Sequence, residues 1–117
     1  MVSRKNLLAG TAVVPQAKRR ETARAHVALA WYRREDYPRI MEEMADRNEM
    51  HDSHDEWLGE AERVERHLAS TGESARRIVI DPDEFRAWCE QRDAKPVANA
   101  RSRFAIEALR VMEDKQP

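Results

Sequence analysis

His51-Asp52-Ser53-His54-Asp55-Glu56 sets two imidazoles and three carboxylates within six residues, a donor set that suits zinc, nickel or manganese. In a helix, His51 and His54 would share a face. Ser53 offers a competing use. With Glu56 three residues on, it has the S-x-x-E form of a capping box, which places His51 in a connector and His54 at the first helical position. Asp55 and Glu56 then complement the positive end of that helix. No second H-x-x-H or C-x-x-C accompanies the cluster, so the capping role is expected and no metal is assigned.

Cys89 is the only cysteine. With an imidazole as base it would be a nucleophile, but that requires a lowered thiol pKa. Its place beside Trp88 and one turn after Phe85 predicts a core thiol. Asp81, Asp83 and Glu84 gather where a strand passes into a helix. Asp81 is expected as N-cap, Pro82 as first helical residue and Glu84 as the returning arm of a capping box. Only Asp83 is left without a structural role. No catalytic residue is assigned, and with only Gly10, Gly59 and Gly72 no phosphate-cradling loop or cofactor is expected.

These groups need elements to hold them. Residues 25–32 alternate, with Val27, Leu29 and Trp31 on one face and Ala28, Ala30 and Tyr32 on the other, which predicts a strand covered on both sides. A short helix is expected over 35–46, with Asp36 near its start and Pro38 in its first turn. A polar connector follows over 47–52. A second helix is expected to run from the Ser53 cap to about Thr71, with Gly72 as C′ residue. Its core stripe is Trp57, Ala61, Val64 and Leu68, and Glu62 is spaced to pair with Arg66. Then come a strand at 76–80, a helix at 82–92 and a last helix from about 96 to 113, whose stripe is Val97, Ala100, Phe104, Ala108 and Val111, with Ala105, Leu109 and Met112 beside it. The order β-α-α-β-α-α predicts a small α+β domain over 25–114, two short strands covered by about four helices. A free strand edge on so small a core predicts a homodimer.

Charge divides the chain unequally. Residues 1–24 hold six bases, Arg4, Lys5, Lys18, Arg19, Arg20 and Arg24, against Glu21, so 6 − 1 = +5. The remainder carries 15 bases and 21 acids, a balance of −6. Residues 1–24, broken by Gly10 and Pro15, are expected to be a flexible basic arm that can reach a polyanion such as nucleic acid. The acids concentrate in 35–60. A single cysteine implies a reducing, cytoplasmic setting, and no apolar run approaches the ~20 residues that span a bilayer.

Trp31-Tyr32, Asp55-Glu56-Trp57-Leu58, Ile80-Asp81-Pro82-Asp83-Glu84-Phe85, Ala87-Trp88-Cys89 and the Ala100-Arg101…Phe104-Ala105 run resemble a group of small uncharacterised bacterial proteins without an assigned activity. Ser3-Arg4-Lys5-Asn6-Leu7-Leu8-Ala9-Gly10 looks like the opening of plasmid-partition proteins of the ParB and RepB type. The expectation is a non-enzymatic protein-binding or regulatory module. Its contact surface is expected at Tyr32, Arg33, Arg34, Asp36 and Tyr37, with both tyrosines reaching solvent and the acidic helix beside them. The alternative is a nucleic-acid-associated accessory protein, linked to a plasmid or mobile element, acting through the basic arm.

Overall fold

The computed structural model describes residues 26–115 and the backbone of the pair Thr11–Ala12. Apart from that pair, the basic arm and its polyanion candidates lie outside the described residues. Three strands form one sheet in the order β1 (Thr11–Ala12), β2 (Val27–Trp31), β3 (Ala75–Val79). β2 and β3 are parallel, with Val27 opposite Ala75 and Trp31 opposite Val79, while β1 runs antiparallel to β2. A parallel pair needs a long crossover. Here it contains helices α1 (Tyr37–Glu43) and α2 (His54–Ser70); α3 (Pro82–Arg92) and α4 (Ala98–Asp114) follow β3. From Val27 onward the element order is the expected one.

The centre of the sheet is buried on both faces, as the alternation in β2 requires. Ala28 packs with Ile78 of β3 and with Ala105 and Leu109 of α4. The alanine face of β2 brings α4 close to the sheet. Val27, Leu29 and Trp31 join Trp57, Ala61 and Val64 of α2 in the larger core. There Trp57 meets Trp31 edge-on at 4.9 Å, with Tyr32 at 4.9 Å and His54 at 5.1 Å. Aromatic pairs of this kind add roughly 0.5–1.5 kcal/mol each beyond area burial.

Local signals place most helix ends. Ser53 Oγ accepts the Glu56 N–H at 3.1 Å and opens α2. Asp81 Oδ1 accepts the Glu84 N–H at 3.0 Å and opens α3, with Pro82 as its first residue. Gly72 ends α2 at φ +84°, and the Glu73 N–H reaches the Leu68 carbonyl at 2.9 Å. Removing either cap, by Ser53→Ala or Asp81→Ala, is expected to lower stability by about 0.5–2 kcal/mol. Urea unfolding of the two variants checks this, and a loss under about 0.3 kcal/mol would show the cap to be redundant.

Three expectations are corrected. The first helix is shorter: a 3-10 turn (Arg34–Asp36) precedes α1, and a second (Arg47–Glu49) lies in the connector. Asp36 stands at the start of α1, as expected, and bonds Arg33 Nε at 2.7 Å in place of capping the helix. On α2 the ion pairs join Glu60 to Arg63 and Glu65 to Arg77 of β3, not Glu62 to Arg66. Glu65 accepts from Nε and Nη2 of the Arg77 guanidinium, which also stacks on Trp31 at 3.9 Å, a tighter arrangement than an i,i+4 pair. The buried face of α4 is Ala100, Arg101, Ser102, Ala105 and Leu109, while Val111 and Met112 are exposed. The stripe is turned because Arg101, an unexpected core residue, has a half-buried carboxylate partner.

Candidate functional site

The partner of Arg101 is Asp46, 55 positions away, with Nη1–Oδ1 at 2.9 Å and Nη2–Oδ2 at 3.1 Å. Arg101 is 4% exposed, and the Tyr32 phenol lies against the same guanidinium. Burial opposes its charge, but Tyr32 and Asp46 outweigh this and raise its pKa. Asp46 Oδ2 also accepts the Ala98 N–H at 3.1 Å, so this carboxylate caps α4 from across the fold. Beside it the Ala45 N–H bonds the Pro96 carbonyl at 2.9 Å. Together these contacts tie the end of α1 to the segment leading into α4.

Between those tied segments and α3 lies a groove of about 520 Å³, within the size range of ligand sites. Met44, Phe85 and Cys89 form its apolar floor, with Ala94 and Pro96 at one side and Glu43, Arg86, Glu90 and Asp93 around it. On one bank the charges are interlocked. Arg39 Nε holds Glu43 Oε2 at 2.8 Å and its Nη2 bonds Asp83. Arg86 Nη2 lies 3.2 Å from Asp83 and 3.7 Å from Glu43. Asp83, which the sequence left without a role, therefore joins α1 to α3, and the Arg39 guanidinium holds its carboxyl below the usual range.

Further along α3 the rim differs. Glu90 and Asp93 are exposed and make no ion pair among the described residues. Glu90 lies in the last turn of α3 and Asp93 at its C-cap, at the negative end of the helix dipole, where carboxylates are disfavoured. Asp93 also holds the left-handed backbone, φ 52° and ψ 42°, where glycine would be less strained. Arg92, the base of that turn, faces elsewhere: it bonds Glu107 at 2.9 Å and lies over Trp88 at 4.5 Å.

Cys89 is 5% exposed, and burial pushes its thiol above the usual value; Arg101, Arg103 and Arg92 pull it down only in part. The thiolate is the reactive form. Alkylation of the folded chain by iodoacetamide at pH 8 is therefore expected to be at least about tenfold slower than in urea, and to accelerate as pH rises toward the raised value. A folded rate equal to the unfolded one would contradict this.

The expected contact surface is changed most. Tyr32 and Tyr37 are 4% and 3% exposed, so neither reaches solvent. The Tyr37 hydroxyl donates to the His51 carbonyl at 2.6 Å, and burial raises both phenol pKa values. Arg33 and Arg34 are exposed as expected, while Asp36 is half-buried. Each arginine is tethered near a helix start: Arg33 to Asp81 at 3.4 Å, Arg34 to Asp55 at 2.6 Å. Arg34 in turn lowers the Asp55 carboxyl pKa. His54 Nε2 lies 2.7 Å from the Tyr32 carbonyl, while its Nδ1 has no hydrogen-bond partner. Among the described residues, no three His, Cys, Asp or Glu side chains are placed to hold a metal ion.

This small α+β domain, built on a parallel strand pair, matches a known family over most of its length. The chain belongs to the domain-of-unknown-function family DUF8829, which covers residues 14–114. No curated protein and no solved structure matches it. Among the described residues, no helix is long and apolar enough to cross a membrane.

Proposed function

We propose that this protein is a non-enzymatic binding or regulatory module that meets a protein partner. The observation that carries this reading is the groove beside α3: an apolar floor, interlocked charges at one end of its rim, and two carboxylates, Glu90 and Asp93, that make no ion pair among the described residues. The side chains with reactive potential support it. Ser53 and Asp81 cap helices, Asp83 ties α1 to α3, and Cys89 is a buried thiol. Arg33, Arg34 and Asp36 remain candidates for an outer contact, now without the two tyrosines.

A photo-crosslinking side chain placed at Ala94, on the groove, is expected to capture one protein of defined mass inside the source cell. The same group at Ala69, exposed on α2, is not. Equal capture from both positions, or none from either, would count against the reading.

The reading includes self-association along β3, whose only strand neighbour among the described residues is β2 and whose Val79 is 42% exposed. Sedimentation should then show a dimer that Val79→Lys weakens. The rival is a nucleic-acid accessory role through Arg4, Lys5, Lys18, Arg19, Arg20 and Arg24. DNA binding at physiological salt, lost when those six become serine, would favour it.

A further inference from the structure

We propose that the groove lined by Met44, Phe85, Cys89, Glu90 and Asp93 receives a segment of a partner protein that presents a basic side chain next to an apolar one. The proposal rests on the binding-module reading and names the chemistry of the partner. Charge complementarity selects it. Glu43 is occupied by Arg39 and approached by Arg86, whereas Glu90 and Asp93 are exposed and make no ion pair among the described residues. Lys95, only two residues beyond Asp93, is exposed too and pairs with neither.

The last turn of α3 departs from helix-ending rules in two ways. It places carboxylates at the negative end of the dipole and an aspartate where the backbone favours glycine. Such departures concentrate where function requires them. Carboxylates and helix dipole together attract a cation. Beside them, Met44, Phe85 and Cys89 offer an apolar floor that can bury an aliphatic side chain. Met adapts to different shapes. Asp46 and the Ala45–Pro96 bond hold the far wall in place, so the groove exists before the partner arrives.

The test uses the full chain, isotope-labelled at backbone amides and methionine methyls, titrated with end-blocked Lys-Leu-Lys, Glu-Leu-Glu and Lys-Ser-Lys peptides. The expected result is saturable movement of the Met44 methyl and the amides of 89–94 with Lys-Leu-Lys alone. Glu90→Lys with Asp93→Lys should weaken that binding at least about tenfold. The milder Glu90→Gln with Asp93→Asn should weaken it less, with tryptophan spectra confirming that both variants fold. Equal response to Glu-Leu-Glu, or movement only elsewhere, overturns the proposal.

Hexylamine binding as tightly as the peptide would assign the groove to a small amine and overturn it. Tighter peptide binding after Lys18, Arg19 and Arg20 are changed to serine would assign it to the chain's own basic segment and overturn it. Movement of the same signals with protein concentration alone would assign it to a second copy, with the same consequence. If the peptides fail while Ala94 still captures a protein, the basic preference falls and the binding-module reading stands. If Lys-Leu-Lys binds as described but Ala94 captures nothing in the cell, the groove chemistry holds and the binding-module reading falls.

Discussion

Arg101→Leu is expected to destabilise the fold by about 3–5 kcal/mol, a large fraction of the ~5–15 kcal/mol that holds a domain of this size together. Leucine can occupy the cavity left by the guanidinium stem, so loss of apolar contact is minor. The penalty arises at Asp46. Its side chain is 17% exposed and would keep only the Ala98 N–H to offset its charge. Asp46→Asn tests the converse: it retains an acceptor for Ala98 and leaves the Arg101 charge buried without its counter-ion. Each single change should cost more than the double change Arg101→Leu with Asp46→Asn, which removes both charges. Stranding one buried charge is worse than removing both. Urea unfolding of the four chains provides the cycle. A single-variant loss under about 1 kcal/mol would mean that water already screens the pair.

The same variants probe the groove. Asp46 holds the start of α4, and Ala45 holds Pro96, so Arg101→Leu loosens one wall of the space above Met44 and Cys89. Peptide affinity should therefore fall even under conditions where the variant is fully folded.

Features of this fold that depend on neighbours in the chain were legible. Ser53 bonds the N–H three residues ahead, Asp81 does the same, and Gly72 closes α2 within its own turn. Alternation in β2 and the 82–92 helix follow from side-chain period, which is also local. What could not be read is set by distant contacts. The cap of α4 comes from 52 residues upstream. Arg101 sits on the apolar side of a helix, where its charge argued for the surface until Asp46 was known to meet it. Tyr32 and Tyr37 were misplaced for a related reason. A tyrosine can be buried when its hydroxyl finds a partner, and for Tyr37 that partner is the His51 carbonyl. The groove combines α1, α3 and the segment before α4, and no sequence period joins those three.

Trp57→Ala is expected to remove about 3–5 kcal/mol, because Trp57 is 2% exposed and its neighbours cannot close the space. It sits at the centre of the aromatic cluster, within 4.9–6.3 Å of Trp31, Tyr32, Tyr37 and His54 by ring centroid. Trp57→Phe separates size from polarity. The indole Nε1–H is buried without a hydrogen-bond partner, and so is the neighbouring His54 Nδ1. Phenylalanine keeps most of the ring contact and removes the unpaired donor, whose burial carries a penalty of about 1–3 kcal/mol. The phenylalanine variant should therefore lose less than about 1.5 kcal/mol, well separated from alanine. Both are measurable by urea unfolding followed through the remaining Trp31 and Trp88. Equal losses for the two variants would show that the indole N–H contributes as much as the ring, which requires an internal water joining it to His54.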